Sequence, residues 1–208
     1  MRRMISRRWR VPVVIACGVL AAAAVGVTVW LSRDEPFEPG APGYLDLACG
    51  LHLHQRDLNR AAIEADDAEQ QLGYAVSTLF LEVGNRELNT RLQDLSNELK
   101  VALDEDNDAA FDQARARADA ECGERDAFAP EPGALVEVAC GIADVLEPGP
   151  GPELLLTSSL ISAAAERDAQ YEELDKAAAR LVLDPASPLD ANHPDAEEIA
   201  AFRNQCPA

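Results

Sequence analysis

Cys49, Cys122, Cys140 and Cys206 are the residues of this 208-residue chain whose type and context commit most firmly to a chemistry. None belongs to a Cys-x-x-Cys pair, the arrangement that depresses a thiol pKa for disulfide exchange, so they predict structural bridges rather than a redox centre. His52 and His54 are the only close histidine pair. Such a pair can hold zinc, nickel or copper when further ligands converge, but residues two apart on a helix project about 200° from one another. Metal ligation therefore requires them to lie on an irregular segment. Asp104-Glu105-Asp106-Asn107-Asp108 has the look of a calcium loop. It fails the EF-hand pattern, because the sixth and twelfth positions are Ala109 and Arg115 where glycine and glutamate are needed. These acids are expected instead to favour the positive end of a following helix dipole.

Pro148-Gly149-Pro150-Gly151-Pro152 lacks the Gly-Lys-Ser/Thr ending of a phosphate loop and reads as a linker. There is no Gly-x-Ser-x-Gly or His-Glu-x-x-His motif, and His193 stands alone before Pro194. Neighbouring carboxylates are too numerous for sequence to single out a pair. No catalytic, cofactor-binding or metal residue is assigned, and the expectation is a protein that is not an enzyme.

The elements around these residues begin with Val11 to Leu31, an uncharged run long enough to cross a bilayer as one helix. Five arginines and no acid precede it, and acids begin at Asp34, which predicts a single-pass signal-anchor: 1–10 cytoplasmic, 11–31 spanning the cell membrane, the remainder extracytoplasmic. The tail is too short for a folded domain. Trp9 and Trp30 fall at the edges of the run, at headgroup depth. Two rival readings are a signal peptide cleaved near Ala22-Ala23-Ala24 and a lipoprotein signal ending at Cys17. The first would leave an apolar new N-terminus, and the second has a short apolar region before its cysteine. In the anchor reading Cys17 is a small apolar residue of the span. Residues 32–43, with prolines at 36, 39 and 42, form a Pro/Gly stalk.

Residues 34–208 hold 12 Lys+Arg against 37 Asp+Glu, a net charge of −25. That surface excludes nucleic acid and anionic headgroups as partners of the exported region and leaves cations or basic proteins. Sixteen arginines to two lysines, with abundant alanine, suggest a GC-rich coding sequence and a bacterial envelope.

An internal repeat organises the exported part. Tyr44-Leu45-Asp46-Leu47-Ala48-Cys49-Gly50-Leu51 matches Leu135-Val136-Glu137-Val138-Ala139-Cys140-Gly141-Ile142, ninety-one positions later. A second block, Ser77 to Asn89, matches Ser158 to Gln170 at an offset of 81, so the second unit lacks about ten residues between blocks. Helical spacing runs through Leu47, Ala48 and Leu51, through Leu72 to Val83, and through Leu88, Leu92, Leu95 and Leu99. Further helices are expected from about Asp106 to Cys122, Gly133 to Leu146, Glu153 to about Leu183, and from the start signals at Ser187 to Asp190 and Pro194 to near Cys206. No alternating strand pattern appears. The predicted class is all-α: a transmembrane helix plus an extracytoplasmic domain of two duplicated, disulfide-closed helical units, 44–130 and 131–208. If each unit is a copy, Cys49 pairs with Cys122 and Cys140 with Cys206; Cys122 with Cys140 and Cys49 with Cys206 is the competing connectivity.

The function expected is a membrane-anchored interaction module that docks another envelope protein or wall component through a groove between its units or an apolar helix face. An extracytoplasmic ligand or cation binder is the alternative, and an envelope hydrolase, which would need converging carboxylates in a pocket, a lesser one.

Overall fold

The computed structural model describes residues 41–207 apart from 106, 126, 128–129, 150, 185–186 and 192–193. The expected cytoplasmic tail, the span Val11–Leu31 with Cys17, stalk residues 32–40 and His193 lie outside the described residues. Among the described residues no helix is long and apolar enough to cross a membrane.

The described chain is all-helical apart from one short ribbon. Its helices are α1 (Ala41–His54), α2 (Arg60–Glu64), α3 (Asp67–Arg86), α4 (Thr90–Asp104), α5 (Asp108–Cys122), α6 (Pro132–Ala143), α7 (Pro152–Arg167), α8 (Glu172–Val182) and α9 (Ala196–Arg203). Residues 41–43, expected to end the stalk, form the first turn of α1. The helix starts follow ordinary capping chemistry. Asn59, Asp66, Asn89 and Asn107 each accept a backbone N–H of the following turn, and Asp195 with Glu198 completes a capping box on α9.

α3 packs most extensively on α4 and α7. One buried core runs through both halves, from Tyr44, Leu79 and Phe80 to Leu156, Leu160 and Phe202. The structure joins Cys49 to Cys122 and Cys140 to Cys206, the pairs the repeat selects. Each bridge ties the first helix of a half to the end of its last. The ten extra residues of the first half contain α2, whose Ile63 packs with Ala102, Leu103 and Phe111 in a small core of its own.

Three local expectations are corrected. Leu88 does not continue the Leu92–Leu95–Leu99 stripe: it is 86% exposed and adopts a left-handed φ of 53° between α3 and α4. The chain must turn sharply there because Asn89 already caps α4. The single helix expected from Glu153 to Leu183 is broken at Asp168, which is extended and accepts the Gln170 N–H at 3.0 Å, opening a 3-10 turn over Ala169–Tyr171 before α8. Residues 187–191 do not begin the last helix but pair antiparallel with Leu183–Asp184. Ser187 precedes a proline, and residues before proline favour extended backbone.

Candidate functional site

The contact between the two halves is built on α3 and α7, which run antiparallel, and it is latched at both ends. Arg86, at the end of α3, donates through Nη2 to Glu153 at the start of α7 at 3.0 Å. Arg167, at the end of α7, donates to Glu69 at the start of α3 and to the Pro130 carbonyl. The two arginines stand 81 positions apart, the offset of the repeat.

At the Arg86 end the helices part and leave a cleft of about 660 Å³. One wall is the last turn of α3, with Glu82, Asn85 and Arg86. The other is the connection from Val145 to Leu154, including Glu147 and Glu153. The run read from sequence as a linker is therefore a wall. It is pinned by its surroundings: Gly149, at a φ of 111° that favours glycine, donates its N–H to the Pro194 carbonyl at 3.0 Å. Arg203 of α9 donates to the Ala143 and Leu146 carbonyls at 2.7 and 2.9 Å, capping the C-terminus of α6 with a cation, and Cys140–Cys206 fixes α6 to the same region.

Charge in the cleft is unevenly balanced. Glu82 is buried, at 5% exposure, and accepts a hydrogen bond from Arg86 Nε. The Arg86 guanidinium also lies 5.2 Å from the centre of the Tyr44 ring, within cation–π range. Burial, and next the charge of Glu153, push the Glu82 carboxyl above the ordinary carboxylate range despite Arg86. Burial likewise pushes the Tyr44 hydroxyl up to about 12. Glu82, Glu147 and Glu153 thus face one guanidinium, and the wall keeps an excess of acid. Glu82 and Glu153 both accept from the one Arg86 guanidinium.

The other sequence candidates go elsewhere. His52 and His54 both lie on α1 and face different partners: His52 Nε2 is 2.9 Å from Asp119 Oδ1, His54 Nε2 is 3.5 Å from Glu69. Burial holds the His52 pKa below its ordinary value, opposed by its hydrogen bond to Asp119. The cavity beside His52 measures about 20 Å³, space for about one water and no substrate. Among the described residues no group of three His, Cys, Asp or Glu side chains is arranged to hold a metal ion. Asp104 accepts the Tyr74 hydroxyl at 2.9 Å and Asp108 accepts Arg60 Nε at 2.7 Å, so both are engaged in structural bonds.

Sequence reasoning missed the Glu82–Arg86–Glu153 constellation. The i, i+4 spacing of Glu82 and Arg86 was visible; the partner 67 positions away was not. Fold and site together define an all-helical, doubly disulfide-bonded domain with an acidic interhelical cleft. Comparison with known proteins returns no matching family model, no matching curated protein and no matching solved structure.

Proposed function

We propose that this protein is a membrane-anchored, extracytoplasmic helical interaction module, built from two duplicated disulfide-closed units, which docks another envelope protein in the cleft between them. The observation that carries this reading is the cleft's combination of a pinned wall and an exposed apolar side chain, Val145, that lines it. Among the described residues four large apolar side chains are exposed, and three of them belong to the segments around it. Val145 lines the cleft, Leu155 follows its lining residue Leu154, and Leu88 lies two residues past Arg86. Exposed apolar side chains on the segments that form a concave site favour a docking role. Two disulfides accord with an oxidising compartment, and the basic residues before Val11 with retention at the membrane.

The test is photo-crosslinking in intact cells from a probe at Val145, with one at exposed Lys100 on α4 as control. A discrete adduct from Val145 and none from Lys100 is expected. Equal yields from both positions, or none from either, would sink the docking reading. The cation-binder alternative draws on the acid excess in the cleft; a rise in unfolding temperature with millimolar calcium, zinc, nickel or copper would favour it.

A further inference from the structure

We infer that the cleft takes a polypeptide segment in which a lysine or arginine is flanked by apolar residues, the cation entering against Glu147 and Glu153 and the apolar residues seating on Val145, Leu155 and Leu88. This rests on the docking reading above and adds the chemistry of the partner.

The first argument is charge. Three carboxylates and one guanidinium line the cleft, within an exported region whose net charge is −25. Arg86 is already divided between Glu82 and Glu153, so Glu147, exposed on the opposite wall, has no cation of the cleft bonded to it. An incoming ammonium or guanidinium completes that balance, whereas an anionic segment is repelled by it.

Space is the second. At Gly151, which lines the cleft, a Cβ would come within 3.0 Å of Glu153 Oε2, so a side chain there would crowd that carboxylate. The third argument is the exposed apolar side chains: Val145 lines the cleft, and Leu155 and Leu88 lie one and two positions from lining residues. Val145 and Leu155 are each 51% exposed and Leu88 86%. A bare cation, or a water-soluble polyamine, gains nothing from such residues; a peptide with apolar neighbours beside its charge uses both. Arginine suits the site further because its planar fork can bridge two carboxylates.

The test uses the full-length protein in detergent and four fluorescent peptides of equal length. One carries arginine between leucines, one glutamine between leucines, one arginine between serines, and one glutamate between leucines. The arginine–leucine peptide should bind about tenfold more tightly than the glutamine and serine versions, with the glutamate version weakest. Glu147→Lys and Val145→Asp, both at exposed positions, should each reduce its binding by a similar factor, and added salt should weaken it in the wild type. Equal binding of arginine and glutamine peptides, or no measurable binding of the arginine peptide at millimolar concentration, overturns the inference. So does undiminished binding to the two variants. Arginine amide alone binding as well as the peptide would replace it with small-cation capture. If the Val145 crosslink persists while the peptide preferences fail, the cleft still docks a partner of different chemistry; if both fail, the docking reading falls as well.

Discussion

The two halves of the helical domain solve one joint in two ways. In the first, the C-terminal turn of the opening helix meets the closing helix through a buried His52 against Asp119. In the second, the corresponding positions are Ala143, ninety-one residues on, and Arg203, which like Asp119 lies three residues before the closing cysteine; there Arg203 donates to the Ala143 carbonyl. The same contact is thus made by a titratable pair in one half and by a permanent cation on helix carbonyls in the other. The halves differ elsewhere in the same sense. The first holds α2 with its own small core. The second lacks it and devotes the equivalent connection to the cleft wall. The first half adds a small core of its own, and the second lends its shorter connection to one wall of the cleft.

Breaking the two disulfides separately gives the largest expected effect on this contrast. The bridged cysteines are 73 and 66 residues apart, so the chain-entropy model assigns each bridge about 4 kcal/mol. Cys140→Ser with Cys206→Ser should additionally free the 144–151 wall, seen as new proteolytic cleavage there. Cys49→Ser with Cys122→Ser should leave that wall protected. Urea unfolding and limited proteolysis read both, and equal release of the wall by either pair would remove the contrast.

Gly84 offers a smaller change. A Cβ there would lie 2.8 Å from Gln93 Cγ and 2.9 Å from Gln93 N, because α4 turns back tightly on α3. The second half has Ala165 at the equivalent position, where the 3-10 turn intervenes before α8. Gly84→Ala should cost about 1–3 kcal/mol by overpacking, measured as a lowered urea midpoint with unchanged slope. A neutral result would mean that the two turns are equally loose.

The joints also differ in their response to pH. His52 has a lowered pKa when folded, so between that value and the ordinary histidine value the unfolded chain binds more protons than the native one. Stability is therefore full above the ordinary value and falls as the solution is acidified through the window. The second joint has an arginine on helix carbonyls in place of a histidine. Hydrogen exchange should show the α1–α5 joint loosening on acidification while the α6–α9 joint holds. Glu82 acts with the opposite sign: its raised pKa makes the native state the better proton binder, so stability falls as pH rises above the ordinary carboxyl value. His52→Asn should abolish the first slope alone and Glu82→Gln the second alone; slopes that survive these substitutions would reassign them to other groups.

Much of this was legible from the sequence. Cysteines embedded in matching apolar blocks carried the pairing, because a copied unit must close in the same way twice. Helical periods found most helices, and the ten-residue mismatch between repeat offsets located the segment that holds α2. What stayed hidden depends on distance in sequence or on local turns. Glu153 is bonded to Arg86 by the antiparallel packing of two helices, which periodicity cannot register. Leu88 fits a helical stripe by spacing, yet the Asn89 cap takes priority over its apolar character and turns it outward.

That leucine supplies the smallest and most discriminating prediction. Its counterpart in the second half is Ala169, in a 3-10 turn, with no left-handed backbone and no large apolar side chain. Leu88 bears the strain of φ 53° while its side chain remains 86% exposed, so neither burial nor backbone preference accounts for leucine there. Leu88→Gly should stabilise the fold by about 0.5 kcal/mol, the relief of left-handed strain less the added freedom of glycine when unfolded. It should also weaken the arginine–leucine peptide and lower the crosslink from Val145. A gain in stability with docking untouched would confine the apolar contacts to Val145 and Leu155, whereas a loss in both would show that the side chain packs on its own domain. Stability rising as binding falls is the signature of a residue held at the surface for a partner, and the first half would then contribute its own apolar contact to a site whose wall belongs to the second.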